Sequence, residues 1–143
     1  MAENFNFTSV GANYCWLWVG DPELFDLPLP TDNEGLLDAF SPLGFYLYTV
    51  THTGMVGVDF FIGEAPRSLT LADWETVDEI EVTFRSSSLK MGGALGDESF
   101  EYKLPAGPGR YFVRAAGRNR VEPPEPLEVP KEQYLIDIWP VQS

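Results

Sequence analysis

Leu104–Pro140 reads LPAGPGRYFVRAAGRNRVEPPEPLEVPKEQYLIDIWP, and its two alternating segments decide the fold. In the first, Tyr111, Val113 and Ala115 point one way and Phe112, Arg114 and Ala116 the other. In the second, Tyr134, Ile136 and Ile138 oppose Leu135, Asp137 and Trp139. Side chains two residues apart share one face of a strand, so each segment reads as a strand. Pro105-Ala106-Gly107-Pro108-Gly109 is a tight turn into the first. Arg118, Asn119 and Arg120 lead out of it into an acidic loop carrying Pro123, Pro124 and Pro126. The reading is two core strands joined by a long surface connection.

The same period recurs upstream. Asn13–Val19 alternates Tyr14, Trp16 and Trp18 with Cys15, Leu17 and Val19, apolar on both faces as in a central strand. Phe45–Thr51 and Met55–Ile62 are rich in aromatic and β-branched residues and flank the turn signal His52-Thr53-Gly54, which predicts a hairpin. Val77–Arg85 has one wet face, Leu89–Met91 is a short strand, and Asp97–Leu104 alternates again. Gly35–Phe40 and Thr70–Trp74 each suggest one turn of helix, with Thr70 as a possible cap. The first ten residues are either an edge strand or a frayed start. The sum is an all-β chain: an antiparallel β-sandwich of about eight strands, with a long acidic loop over Glu23–Pro42, little helix, and one domain over 1–143.

Aromatic content is high at 14%, but no apolar run approaches the roughly 20 residues needed to span a bilayer. The N-terminus has neither a basic start nor an apolar h-region, and the one cysteine, Cys15, cannot form an internal disulfide. Cytoplasmic residence is the simplest expectation. Net charge is −13 and unevenly placed, with no lysine or arginine before Arg67. Such a surface repels nucleic acid and anionic membranes and attracts basic partners. Acidity that serves solubility alone is the bland alternative.

An inventory tests the usual chemistries. His52 is the only histidine and lies in a turn, where a solvated imidazole is the ordinary outcome. Cys15 and His52 cannot supply a zinc site, and a thiol in an apolar strand is unreactive. No phosphate-binding loop is present, and Gly92–Gly96 reads as a wide hairpin loop. Glu75, Asp78, Glu79 and Glu81 form a dense acidic run, and Asp32-Asn33-Glu34-Gly35 carries oxygen ligands without the spacing of a calcium loop. Both read first as solvated acidic surface. Arg110, Arg114, Arg118 and Arg120 could hold an anion, but pairing with Glu122, Glu125, Glu128 and Asp137 is favoured. No cofactor and no metal is expected.

One further pattern spans the second half. Asp73-Trp74 precedes Val77-Asp78-Glu79-Ile80-Glu81; Leu104-Pro105 and Gly109 precede Tyr111, Val113 and Arg114; Gly117-Arg118 follows; and Glu132–Pro140 closes on Trp139-Pro140. This pattern resembles a group of uncharacterised small bacterial β-sandwich proteins. It is more distantly similar to the competence protein ComJ, an inhibitor of a bacterial DNA-entry nuclease. The matched residues look like framework, with no catalytic signature, and residues 1–44 are unmatched. The resemblance implies a sandwich and, by analogy, an inhibitor.

Together these readings predict a non-enzymatic, immunity-type protein that captures a basic partner such as a nuclease. Asp21, Glu23, Asp26, Asp32, Glu34 and Asp38 would supply the charge, with Phe25, Leu27 and Phe40 either as apolar anchors or as tacks holding the loop to the core. A small-ligand, carbohydrate or calcium-binding module is the alternative, with Trp16, Trp18, Trp74 and Trp139 as stacking candidates. A carboxylate enzyme is a third, for which no residue pair can be named.

Overall fold

The expected strands at the end of the chain become β9 (Gly109–Arg118) and β10 (Gln133–Pro140), paired antiparallel with Ala115 opposite Ile136 and Val113 opposite Ile138. That register buries Tyr111, Val113, Ala115, Tyr134, Ile136 and Ile138 on one shared face. The computed structural model describes residues 7–12, 16–22, 36–40, 44–50, 54–93, 100–120 and 131–141. Among these the remaining strands are β1 (Thr8–Ala12), β2 (Trp16–Gly20), β3 (Leu37–Phe40), β4 (Gly44–Tyr48), β5 (Gly54–Ile62), β6 (Thr76–Phe84), β7 (Ser88–Gly93) and β8 (Phe100–Lys103).

They form two five-stranded sheets, ordered β1-β5-β10-β9-β6 and β3-β4-β2-β7-β8. Every pairing is antiparallel except β5 with β10, which run parallel. Leu17, Val19, Phe45, Leu47, Leu89 and Met91 from the second sheet meet Val56, Val58, Val82 and the β9–β10 face from the first. Each such side chain, fully buried, contributes roughly 1.5–3 kcal/mol, so this interior is the main stabilising term.

Three local expectations change. The segments before and after His52 do not pair as a hairpin: β4 lies between β2 and β3, whereas β5 lies between β1 and β10. A turn signal reports chain reversal and says nothing about crossing between sheets. Gly35–Phe40 is not helical over its described part, which is β3; Leu37 enters the core while Asp38 faces outward beside Tyr46. Four residues are too few to separate a period of two from one of 3.6. Thr70 does precede one 3-10 turn, Leu71–Asp73, but its side chain makes no capping bond. The strands beyond the eight expected are β1 and β3, both at sheet edges.

Gly44 shows how closely the second sheet is drawn together. A Cβ there would lie 2.1 Å from the carbonyl oxygen of Val19, so only glycine lets β4 meet β2 at this point.

The outer face of the first sheet is also largely covered. Trp74, Ala116 and Leu135 form a second small apolar cluster with Phe7 and Leu69, and the Arg118 guanidinium lies 4.4 Å over the Trp74 ring. Beside it Arg67 bonds Asp137 at 2.7 Å and Asp59 at 3.0 Å, and Arg114 bonds Asp137 at 2.5 Å and the Arg67 carbonyl at 2.6 Å. This network straps the segment after β5 onto the sheet and accounts for β10 being buried on both faces.

Candidate functional site

Of the eight residues expected to meet a partner, the described structure contains Asp21, Asp38 and the backbone of Phe40. Glu23, Phe25, Asp26, Asp32 and Glu34 lie outside the described residues, as do Glu122, Glu125, Glu128, His52 and Cys15.

Asp21 follows β2 directly and is only 6% exposed. The Nε of Arg85 donates to its Oδ2 at 2.6 Å, while the Arg85 side chain is 57% exposed. One charge of the expected front is therefore matched by a later arginine. The pair lines an open recess of about 470 Å³ with Pro22, Ser86, Ser88 and Glu101. Among the described residues the exposed Glu101 carboxylate has no ion-pair or hydrogen-bond partner.

Asp38 sits on the outer face of the second sheet, in register with Tyr46. The Tyr48 hydroxyl donates to its Oδ2 at 2.9 Å. The strand pairing places Trp16 opposite Tyr48 and Trp18 opposite Tyr46, and Trp16 meets the Tyr46 ring edge-on at 4.7 Å. Trp18 and Tyr46 are buried, whereas Asp38, Trp16 and Tyr48 keep part of their surface in solvent. Burial first, then the neighbouring Asp38 charge, pushes the Tyr46 hydroxyl up to about 12. A part-exposed carboxylate rimmed by aromatic rings suits a cation, which gains from both the charge and the ring faces. The segments WLW and YLY carry this grouping in the sequence, but only the register of β2, β4 and β3 brings them to one acid.

Asp21 and Asp38 share a sheet but not a neighbourhood: β4 lies between their strands, and Asp21 is about 10 Å further along than the level of Asp38.

The acidic run 75–81 is mostly structural. Glu75 accepts the backbone N–H groups of Asn119 (2.7 Å) and Arg120 (3.2 Å), holding the turn in which Asn119 takes a φ of 57°. Asp78 accepts the Leu37 N–H at 3.0 Å, tying β6 of the first sheet to β3 of the second. Glu81 takes two bonds from Arg110, at 2.9 and 3.1 Å. Among the described residues Glu79 alone of the four has no partner for its carboxylate.

The arginines after Gly109 are engaged too. Arg114 pairs with Asp137 as expected, Arg110 with Glu81, Arg118 with the Gln133 amide oxygen at 2.8 Å, and Arg120 with the Tyr134 hydroxyl at 3.1 Å. Tyr134 donates to Glu132, whose buried carboxylate also accepts the Val50 N–H at 2.8 Å. Burial and the Glu132 bond hold the Tyr134 hydroxyl well above its ordinary range. The sequence shows no sign of this cluster, which forms only when β4 and β10 are placed. Neither of the two recesses described includes it. Of the candidate stacking residues, Trp18 and Trp74 are buried, leaving Trp16 and Trp139 part exposed.

No protein-family model matches the chain. No curated protein matches it in sequence. Two solved structures share its fold. ComJ from Bacillus subtilis, described as an inhibitor of the DNA-degrading activity of NucA, superposes with a TM-score of 0.67 at 12% identity, over 99% of both chains. The product of crocagin biosynthetic gene J superposes with a TM-score of 0.60 at 14% identity, over 99% of this chain and 100% of that one. The likeness thus extends over the first third of the chain, where the sequence pattern offered none.

Proposed function

We propose that this chain is a non-enzymatic inhibitor that captures a basic protein, with a DNA-degrading nuclease as the partner class. The observation that carries the reading is the near-complete overlap of fold with a nuclease inhibitor. The charge of −13 supports it independently. A groove that normally holds DNA phosphates is cationic, and a surface bearing Glu23, Asp26, Asp32, Glu34 and Asp38 is its complement. Asp21, already paired with Arg85, adds less to this field and belongs to the framework.

Long-range attraction speeds encounter, and desolvated apolar contacts then slow release. Phe25 and Phe40 are the proposed anchors, with Asp38, Trp16 and Tyr48 receiving a lysine or arginine at the aromatic rim.

The test is capture of partners from source cells at low and high salt, identification by mass spectrometry, and association kinetics with the captured protein. A variant carrying Glu23→Gln, Asp26→Asn, Asp32→Asn, Glu34→Gln and Asp38→Asn should associate at least tenfold more slowly at low salt. An unchanged association rate overturns the electrostatic mechanism.

A further inference from the structure

A second recess, of about 420 Å³, opens at one end of the sandwich. Its walls are Ile62 at the end of β5, Pro140 at the end of β10, Tyr111 near the start of β9, and Pro105 and Ala106 in the turn after β8. The wall is mainly apolar, and the Tyr111 hydroxyl within it is engaged, donating to the Gly107 carbonyl at 2.6 Å. One charged side chain lines it. Glu64 is exposed, and among the described residues its carboxylate has neither an ion pair nor a hydrogen bond.

The same end of the molecule carries Asp21. The Leu104 N–H donates to the Ser87 carbonyl at 2.8 Å, which joins the Leu104–Gly109 turn to the turn lining the Asp21–Arg85 recess. The two recesses therefore flank one turn, at the end from which the acidic stretch leaves β2. Arg110, the nearest cation in sequence, points to the opposite face of β9 from Tyr111 and is held by Glu81.

We propose that this recess is an anchor for a lysine or arginine side chain of the basic partner, with the methylene stem against Ile62, Ala106, Tyr111 and Pro140 and the cationic head against Glu64. Long cationic side chains combine an apolar stem with a charged tip, and a greasy slot with one carboxylate at its mouth matches both parts. An uncharged apolar side chain would leave Glu64 unmatched, and an acidic one would meet repulsion. The inference rests on the partner being basic, as proposed above, but not on the loop carboxylates.

The full chain would be titrated with Nα-acetyl-lysine N-methylamide and followed by amide resonances in NMR, with the norleucine analogue as the uncharged match. Saturable shifts are expected at Gly63, Glu64, Ala106 and Tyr111, about fivefold weaker affinity for the norleucine analogue, and loss of that difference in Glu64→Gln. Ala106→Trp fills the slot from an exposed turn and should abolish the shifts while circular dichroism stays native. Shifts scattered over the acidic surface, equal binding of norleucine, or shifts that survive Ala106→Trp overturn the proposal. If lysine settles in the slot while the five-carboxylate variant still captures its partner at the original rate, the electrostatic front fails and the anchor stands. The reverse pattern removes the anchor alone.

Discussion

Asp137 is 1% exposed and shared by Arg67 and Arg114. Removing it leaves Arg67 to Asp59 and Arg114 to the Arg67 carbonyl, so Asp137→Ala should cost about 3 kcal/mol in urea denaturation, the lower end for a broken buried pair. Glu81→Gln, which breaks the exposed pair with Arg110, should leave the midpoint unmoved. The tyrosines give a second residue-scale expectation. Tyr46, Tyr102, Tyr111 and Tyr134 are all held above the ordinary tyrosine value, chiefly by burial. The unfolded chain therefore sheds these protons near pH 10 while the folded one keeps them. Stability should be intact below pH 10 and fall towards pH 12, the value reached by Tyr46, with tyrosinate absorbance appearing late and together with unfolding. Individual residues were the least legible part of the sequence. The pairing of Arg114 with Asp137 was readable because both lie on strands with a clear period. Arg85 with Asp21, and Glu132 with Val50, join residues far apart in the chain, and no local pattern announces them.

At the level of elements, β6, β9 and β10 were legible almost to their ends because each is built on a six-residue alternation, Ile80–Arg85, Tyr111–Ala116 and Tyr134–Trp139. β3 was not, because four residues at an edge draw their conformation from β4 and not from their own composition. The lost hairpin has a related origin: β4 and β5 each have a strand on both backbone edges, in different sheets, and the turn signal does not select those neighbours. Gly44 is the element-scale test. In Gly44→Ala the new methyl meets backbone of β2, which cannot swing aside like a side chain. The loss should reach or exceed about 3 kcal/mol, the upper end for overpacking, as measured by thermal or urea unfolding.

For the whole molecule, charge and fold carry different information. Alternation and turns made the two-layer architecture readable, and composition made the acidity readable. How the acids are distributed was not, because it depends on which ones the framework consumes: Asp21, Asp59, Glu75, Asp78, Glu81, Glu132 and Asp137 all have partners within the described fold. The carboxylates free to touch a partner are correspondingly fewer than the 22 acidic residues of the sequence, although the net charge is unchanged. Partner association should slow as salt rises from about 0.01 to 0.15 M, where the screening length drops from roughly 30 to 8 Å, with dissociation changing far less.

The parallel pairing of β5 with β10 has a consequence for how the chain is made. β10 comes after all the other described strands in sequence, yet it lies between β5 and β9 in space. Until residues 133–140 have left the ribosome, the first sheet is two disconnected pairs, β1 with β5 and β6 with β9, each with a bare apolar flank. Until β10 is available such a chain is vulnerable to chaperone capture and proteolysis, and it cannot close its first sheet from the earlier strands alone. A fragment stopped after Lys131 should accordingly show no cooperative melt, however much of the sandwich it nominally contains.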